Sequence, residues 1–379
     1  MDIKDFKSGV YQHQTTGYKS FIPNEINHSF VWSNPQINVM LEKATLELGA
    51  LNSFSHFVPD IGRFIKMHVA KEATQSSRIE GTQTNIADVF VSKEIVDPER
   101  RNDKQEVENY INAMNSAIEA LPQLPLSSRL LKNTHRILLQ HVRGEHKCPG
   151  EFRRSQNWIG GASINDAAFV PPPASEVERL MGDLENFLHN ESLQIPHLIK
   201  IAIAHYQFET IHPFLDGNGR VGRLLITLYF IANGIIDKPI LYVSDFFEKY
   251  KPLYYSNLTI ARENNDLEQW IKFFLEAVTQ SCKNATQCLQ DIMLLRQKCE
   301  GERVQKMGKR AANARILLDH LYSSPIVNAQ DVAHVLQISV VSAYNLIETM
   351  EENGILRQMN DYKRNKLYCF YDYMNLFNR

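Results

Sequence analysis

The chain has 379 residues, of which 44% are hydrophobic and 22% are charged, an ordinary composition for a globular protein of two or three domains. Its net charge of -2 gives no overall attraction to nucleic acid or anionic membranes. No apolar run reaches the ~18 residues of a membrane span, and the first residues lack the apolar core of a signal peptide. The five cysteines form no CxxC pair, so neither a disulfide framework nor a structural zinc site is expected, and the cytoplasm is the expected compartment.

Most of the chain has helical periodicity, after a mixed N-terminal stretch with extended pieces such as "YKSFIPNEI". A helix at 63–80 is expected to end at Gly81, because glycine is typical just past a helix C-terminus. The segment at 196–210 is apolar on nearly every face, which predicts a buried central helix. Further helices are predicted at 36–52, 103–120, 127–142, 175–189, 224–233, 244–262 and 266–300.

Two segments interrupt this helical pattern. Residues 148–173 contain two short extended runs around a Gly/Asn/Asp turn, which predicts a β-hairpin on the surface. Residues 301–312 are polar and basic, which predicts a linker or a helix tail. Three helices and a hairpin then predict a winged helix-turn-helix. The domain prediction is an N-terminal region (1–100), a helical core (101–300), the linker, and a winged-helix domain (313–379).

The loop "HPFLDGNGRVGR" at 212–223 carries the chemistry. It lies before a predicted helix start, where free backbone N–H groups and the positive dipole end bind phosphates. Two glycines allow close backbone approach, while Arg220 and Arg223 add charges that match phosphate oxygens. Asp216 is a suitable ligand for phosphate-bound Mg²⁺, and the imidazole of His212 suits a general base. The pattern predicts phosphoryl or nucleotidyl transfer.

Each part of the loop also has a simpler interpretation. A histidine at a helix end is commonly a cap, "DGNG" is commonly a turn, and arginines at a helix start are commonly solvated. The arginines are, however, unfavourably placed for the helix dipole, because a helix N-terminus favours anions. The arrangement therefore indicates an anionic partner.

The string "HPFLDGNGR" resembles the signature H-P-F-x-D/E-G-N-G-R of the Fic family, with Leu215 at its free position. The resemblance covers roughly residues 100–275 and implies a mainly α-helical Fic core with a small β-hairpin flap. Enzymes of this family typically transfer AMP from ATP to a hydroxyl side chain of a target protein, with Mg²⁺. The resemblance implies that His212 is the base, Phe214 a buried anchor, and Asp216 the Mg²⁺ ligand.

The same resemblance implies an anion hole for the α- and β-phosphates at 217–219, aided by Arg220, while Arg223 holds the γ-phosphate. Tyr255 resembles the aromatic residue beside the adenine. The flap at 152–171 would pair with an extended segment of the target, with Ile159 as a contact. The implied nucleotide-binding set is Asp216, Gly217, Asn218, Gly219, Arg220, Val221, Gly222, Arg223, Tyr255, Ile159 and Glu80.

The stretch "SSRIEG" at 76–81 fits the inhibitory pattern S/T-x-x-x-E-G/N of the family. In the last turn of its helix, the Glu80 carboxylate meets the negative dipole end and needs a cation. The resemblance implies that Glu80 pairs with Arg223, the arginine that the γ-phosphate requires. The alternative is that Glu80 is an ordinary surface residue.

Three functions stay open at this stage. The first is an autoinhibited protein adenylyltransferase that acts on a Ser, Thr or Tyr hydroxyl of a target protein and on itself. The second is a nucleotide-sensing DNA-binding regulator, but the helix "SVVSAYNLIETMEEN" is acidic, and only Lys363, Arg364 and Lys366 of the wing are basic. The third is a Fic enzyme that uses another nucleotide or removes AMP. Many relatives form dimers, so a homodimer is also open.

Overall fold

The computed structural model describes residues 1–360 and 366–377. The helices of the first two thirds are α1 Pro35–Phe57, α2 Ile61–Ile79, α3 Ile86–Val89, α4 Arg101–Ala120, α5 Ser128–Leu138, α6 Ala174–His189, α7 His197–Ile211 and α8 Asn218–Ala232. Those that follow are α9 Ser244–Lys249, α10 Lys251–Glu263, α11 Leu267–Lys298, α12 Ala311–Leu321, α13 Ala329–Leu336, α14 Val340–Glu352 and α15 Tyr371–Phe377. The mainly α-helical fold class is confirmed. None of the helices within the described ranges is long and apolar enough to cross a membrane.

Helix α7 lies at the centre, as its apolar sequence predicts. Every side chain from Leu198 to Phe208 is buried. Helices α6, α8 and α11 all pack against α7, and the indole of Trp270 in α11 donates a hydrogen bond to the backbone oxygen of Ala202 at 2.7 Å. The loop between α7 and α8 is thereby held between two buried helices.

Two predicted helices have other bounds in the structure, each for an identifiable reason. The helix predicted at 244–262 is divided into α9 and α10, because Pro252 lacks an N–H group and is tolerated only in the first turn of a helix. Helix α5 ends at Leu138 rather than residue 142, and His141 then adopts a positive φ of 55°, which a continuous α-helix does not allow.

The predicted hairpin at 148–173 has far fewer paired residues than expected. Its ladder consists of one bridge, in which Ile159 and Phe169 exchange backbone hydrogen bonds of 2.8 and 3.1 Å. Gly160 and Gly161 turn the chain with positive φ directly after Ile159, and the prolines at 171–173 have no N–H to continue the ladder. Residues 152–171 are called the flap below.

An N-terminal hairpin lies beside the flap. Strands β1 Gly9–His13 and β2 Lys19–Pro23 pair in antiparallel register, with Tyr11 opposite Phe21. The backbone N–H of Phe21 donates to the oxygen of Val170 at 2.9 Å, so β2 contacts one side of the flap. This hairpin supports the flap on the side away from Ile159.

The segment 301–312, predicted to be a linker or a helix tail, continues from α11 as further helical turns. Cys299–Arg303 forms a π-helical turn that continues α11, and Val304–Arg310 forms a 3₁₀ segment with buried Val304 and Met307. Apolar side chains within a basic sequence are enough to bury one face of this segment. The change of direction is confined to Gly308, whose φ of 54° is outside helical values.

The C-terminal module contains α12, α13 and α14 with a three-stranded antiparallel sheet. Its strands are β3 Ile326–Val327, β4 Arg357–Gln358 and β5 Tyr368–Cys369, in the order β3-β5-β4. Residues 361–365 between β4 and β5, including Lys363 and Arg364 of the predicted wing, lie outside the described residues. The assignment as a winged helix therefore stays a prediction. Helix α15, which was not predicted, packs on α2 and α11.

Phe64 in α2 joins the module to the rest of the chain. Its fully buried ring lies 5.2 Å from the ring of Tyr322 and 6.4 Å from that of Tyr373. The C-terminal module thus packs against the same helix whose far end carries Glu80.

We expect Phe64→Ala to lower the free energy of unfolding by about 3–5 kcal/mol, because it removes a ring from a packed core. Phe57, which is 81% exposed, is the matched control, and Phe57→Ala should change stability by less than about 0.5 kcal/mol. Urea unfolding followed by circular dichroism measures both. Equal effects of the two substitutions would contradict the packing described for α2.

Candidate active site

The loop between α7 and α8 is held by its own side chains. Asn218 accepts a hydrogen bond from the N–H of Phe214 and donates one to the oxygen of the same residue, both at 2.8 Å. The ring of Phe214 is buried and stacks on His135 of α5, with ring centroids 3.8 Å apart. The Asn218 side chain is therefore committed to the loop, and the groups left to meet an anion are backbone N–H groups of the first turn of α8.

His135, which was not predicted as a site residue, holds this loop through hydrogen bonds of both its ring nitrogens. Its Nδ1 accepts from the N–H of Gly150 at 2.8 Å, and its Nε2 lies 3.0 Å from the oxygen of Asp216, which requires a proton on Nε2. Burial lowers the pKa of His135 to about 4, so the ring is neutral at physiological pH. A lone histidine on a helical segment gave no sequence signal of this role.

His212 lies where α7 ends. It adopts left-handed backbone geometry, with φ 51°, and its N–H closes the helix on the oxygen of Phe208 at 3.0 Å. Its buried Nδ1 has no hydrogen-bond partner within the described part of the chain. Burial lowers the pKa of His212 to about 4, and the positive charge of Arg153 contributes. The imidazole is thus neutral at physiological pH and able to accept a proton.

Arg220 is neutralised by an acidic residue that the sequence analysis did not single out. Glu106, in α4, accepts a hydrogen bond from Arg220 at 3.0 Å, and both side chains are almost fully buried. The Asp216 carboxylate lies 3.6 Å from the same guanidinium. Arg220 is thus fixed in place by two acidic neighbours. Glu106 is far from this loop in the sequence, and the fold brings α4 next to it.

Asp216 is the candidate metal ligand. Its Oδ1 accepts from the N–H of Gly217 at 2.6 Å, and the side chain is 37% exposed. The described residues contain no cluster of three or more metal-ligating side chains. One accessible carboxylate fits Mg²⁺ that takes its other ligands from nucleotide phosphates and water, since Mg²⁺ is commonly held by one or two carboxylates.

Arg223 is fully buried and tied to α2. Its guanidinium donates to the Oγ and to the backbone oxygen of Ser76, each at 2.8 Å, and to the Glu80 carboxylate at 2.7 Å. Burial alone would lower the pKa of Arg223, but the Glu80 charge outweighs it and the pKa is raised. Ser76 and Glu80 are the first and fifth positions of the "SSRIEG" stretch, so both act on one arginine.

The Glu80 carboxylate also lies over the first turn of α8. A Cβ added to Gly219 would come within 2.2 Å of Glu80 Oε1, so only a glycine at this position leaves room for the carboxylate. Burial acts to raise the pKa of Glu80, whereas Arg223 lowers it further, and the net pKa is below the ordinary value. The ionised carboxylate supplies the anion that this helix N-terminus favours.

Glu209, a residue that the sequence analysis did not select, faces the same group of charges. It precedes His212 by one helical turn, and its buried Oε1 lacks a hydrogen-bond partner among the described residues. Burial raises the pKa of Glu209 to about 7, with Arg223 opposing and Glu80 adding to the rise. The close approach of Glu209 to Gly222, where a Cβ would meet Oε1 at 2.2 Å, explains the need for glycine there.

Two family models match this chain. The model of the Fic/DOC family matches residues 125–230, which contain the loop and both flanking helices. The model of the Fic/DOC family N-terminal region matches residues 39–119, which contain α2 and α4. Over these two ranges the chain is similar to the Fic/DOC family.

Curated relatives of this chain carry the name protein adenylyltransferase Fic. The protein of Aedes aegypti is 32% identical over 148 residues, which are 39% of this chain and 26% of that protein. The protein of Drosophila erecta is 28% identical over 222 residues, which are 57% of this chain and 41% of that protein. The matched region therefore spans between a quarter and two fifths of these relatives' own length.

Solved structures confirm the Fic fold. The crystal structure of a Fic family protein from Desulfovibrio desulfuricans G20 aligns with a TM-score of 0.56 at 20% identity and covers 89% of this chain and 96% of that chain. A Fic-domain-containing signaling protein from Bacteroides thetaiotaomicron aligns with a TM-score of 0.53 at 16% identity, covering 66% and 97%. At these identities the likeness concerns the fold.

Four further residues belong to the predicted nucleotide-binding set, two outside the loop and two in the first turns of α8. Tyr255, in α10, is 41% exposed and lies near the Glu80–Arg223 pair, whose charges act on its hydroxyl. Ile159 is half-buried in the single bridge of the flap. Val221 and Gly222 are buried inside α8, so Val221 offers only packing to the site. The nucleotide-binding roles of all four residues stay predictions.

The neutral His135 makes the stability of the chain pH-dependent. Its pKa is about 4 in the folded state against 6.5 for the model imidazole, so between these values the unfolded chain binds more protons and acid lowers stability. We expect the free-energy cost of His135→Gln, measured by urea unfolding, to be smaller at pH 4.5 than at pH 7.5 by on the order of 2 kcal/mol.

His146→Gln is the control for that measurement, since the His146 side chain is 91% exposed. Its effect should be small and equal at both pH values. A pH-independent cost of His135→Gln would show that the buried ring is not held neutral.

Proposed function

We propose that this chain is a protein adenylyltransferase that Glu80 holds in an inhibited state. The names of the curated relatives and the loop at 212–223 support the activity. One observation carries the inhibition, namely that the Glu80 carboxylate contacts Arg223 at 2.7 Å and lies against Gly219 at the start of α8. An anion there competes with a nucleotide phosphate for the same guanidinium and helix N-terminus.

In this proposal ATP lies with its phosphates at the N-terminus of α8. Backbone N–H groups of 217–219 and the guanidinium of Arg220 hold the α- and β-phosphates, and Arg223, once released by Glu80, holds the γ-phosphate. Asp216 is the side chain that would hold Mg²⁺, which neutralises charge on the phosphates. Tyr255, close to Arg223, is the aromatic side chain that we assign to the adenine.

The transfer itself requires a proton acceptor and an oriented hydroxyl. His212 accepts the proton from a Ser, Thr or Tyr hydroxyl of the target, and the oxygen bonds to the α-phosphorus. The bond from the α-phosphorus to the bridging oxygen breaks, and pyrophosphate leaves. The buried imidazole, with its pKa of about 4, is already in the accepting form at neutral pH. The target segment lies along the flap, with Ile159 as a contact.

DNA binding by the C-terminal module gains little from the described residues. The exposed positions of α14 include Val341, Tyr344 and Glu348, which are two apolar side chains and an acidic one. Phosphate binding requires basic groups, and the wing residues Lys363 and Arg364 lie outside the described part of the chain. We therefore do not propose that the module binds DNA. A protein partner or a second copy of this chain suits this surface better.

Release of Arg223 should increase activity. With α-labelled ATP and Mg²⁺, we expect Glu80→Gly to raise self-labelling by about tenfold to a hundredfold, corresponding to loss of a charged hydrogen bond of roughly 1.5–3 kcal/mol. Glu94→Gly, in an exposed loop, is the matched control and should label as the parent does. Adding His212→Ala to Glu80→Gly should abolish labelling.

Absence of labelling in every variant, with ATP binding verified by calorimetry, would reject adenylyl transfer from ATP. Equal labelling of the parent chain and Glu80→Gly would instead reject the inhibitory role and leave the activity in place.

The role of Asp216 can be separated from that of the arginines by titrating the metal. In the Glu80→Gly chain, Asp216→Asn should raise the Mg²⁺ concentration for half-maximal labelling by about tenfold or more, because a carbonyl replaces an anionic ligand. Asp237→Asn, in an exposed ion pair with His56, is the control. An unchanged Mg²⁺ requirement in Asp216→Asn would show that the metal is held elsewhere.

A further inference from the structure

Arg153, at the start of the flap, is buried without an acidic partner for its hydrogen bonds. Its Nε donates to the oxygen of His212 at 2.9 Å, and its Nη2 donates to the oxygens of Pro172 at 2.5 Å and Ile211 at 3.3 Å. Only 2% of the residue is exposed, and its hydrogen-bond partners within the described part of the chain are all backbone oxygens. Burying a guanidinium in this way is costly, so the site must require it.

Two of the carbonyls that Arg153 contacts lie at the end of α7, on its last residue Ile211 and on its cap His212. These groups have no partner within the helix and form the negative end of its dipole, where a cation is favourable. The flap side chain of Asn157 donates to the same His212 oxygen at 3.3 Å and to that of Phe214 at 2.8 Å. Two flap residues therefore fix the backbone that presents the His212 ring.

The same guanidinium joins the two ends of the flap to α7. The backbone N–H of Arg153 donates to the oxygen of Pro213 at 2.9 Å, while its side chain reaches Pro172 just beyond the flap. A shift of either end of the flap would move these hydrogen bonds. The position of the target-binding segment and that of His212 are thus mechanically linked.

Three charges from three elements face the His212 ring. Arg153 of the flap and Arg262 of α10 disfavour its protonation, whereas Glu80 of α2 favours it, and burial is the largest influence. Arg262 lies over the ring of Phe169 at 3.6 Å, which keeps its charge on the flap side of the site. Because Glu80 is expected to move away when ATP binds productively, the two arginines would then act unopposed.

We propose that Arg153 is a positioning residue for the catalytic base: its guanidinium holds the His212 backbone in place, puts a positive charge beside the ring, and ties both to the flap. This inference rests on the proposed function, in which His212 accepts the proton of the target hydroxyl. A purely structural Arg153 would support the fold without influencing the ionisation of His212.

The pH profile of labelling distinguishes these roles. In the Glu80→Gly chain, we expect Arg153→Met to slow self-labelling by about tenfold to a hundredfold, because the base is less well oriented. Its acid limb should also move upward by about one pH unit, since removal of a nearby positive charge raises the pKa of the base. Arg153→Lys keeps the positive charge but loses the forked guanidinium. Labelling should therefore slow, while the acid limb of its pH profile should remain at the same pH.

Arg179→Met, on the exposed face of α6, is the matched control and should leave both rate and pH profile unchanged. Slower labelling in Arg153→Met with an unmoved acid limb would overturn the proposal in favour of a structural role, and so would a moved acid limb in Arg153→Lys. If the Glu80→Gly chain itself does not label, the proposed function fails, and the pH comparison is replaced by a direct titration.

That titration needs neither activity nor a folded Arg153→Met chain. The histidine resonance lost in His212→Ala is followed by NMR from pH 3.5 to 8 in the unsubstituted chain and in Arg153→Lys. We expect it to titrate well below pH 6.5 in both. A midpoint near 6.5 in the unsubstituted chain would overturn the proposal, because the ring would then not be held neutral.

Discussion

The ion pair between Glu80 and Arg223 is the interaction on which the site depends. Arg223 is 1% exposed, and a buried guanidinium is tolerated only with a partner that satisfies its charge and its hydrogen bonds. Ser76 and Glu80 supply that partner from α2, so α2 must lie against the N-terminus of α8. Removing Glu80 without supplying another anion would leave the charge of Arg223 inside the protein without this partner.

This requirement connects distant parts of the chain. Helix α2 contacts α8 through Arg223 at its C-terminal end, and it contacts the C-terminal module through Phe64 near its start. Its middle is held by the buried Glu72, which accepts hydrogen bonds from Tyr110 of α4 and from Ser244 of α9. Helix α2 is thus held at three points along its length, from the C-terminal module to the Glu80 carboxylate.

Four buried histidines of this structure are neutral at physiological pH. Burial lowers the pKa of His68, His135 and His212 to about 4 and that of His205 to about 3. A neutral ring both donates and accepts, and His135 uses both nitrogens to hold the loop.

The sequence by itself determined the helical class, the buried α7 and the loop at 212–223. These follow from local rules: periodicity of apolar residues, and glycine, asparagine and arginine crowded at a helix start. The "SSRIEG" stretch also named Glu80 and Arg223 as partners, although only through resemblance to the Fic family. The spacing between residues 80 and 223 contains no signal that the two side chains meet.

Only the tertiary structure decided which groups neutralise and hold the loop. Glu106 reaches Arg220 from α4, His135 stacks under Phe214 from α5, and Arg153 reaches α7 from the flap. These contacts join residues that are far apart in the chain. The periodicity of apolar residues does not predict which polar side chains are buried against one another. The same reason applies at 301–312, where the polar sequence did not show that Val304 and Met307 pack into the core. Local sequence determines the conformation of short segments, whereas the energy of a buried charge depends on everything that surrounds it.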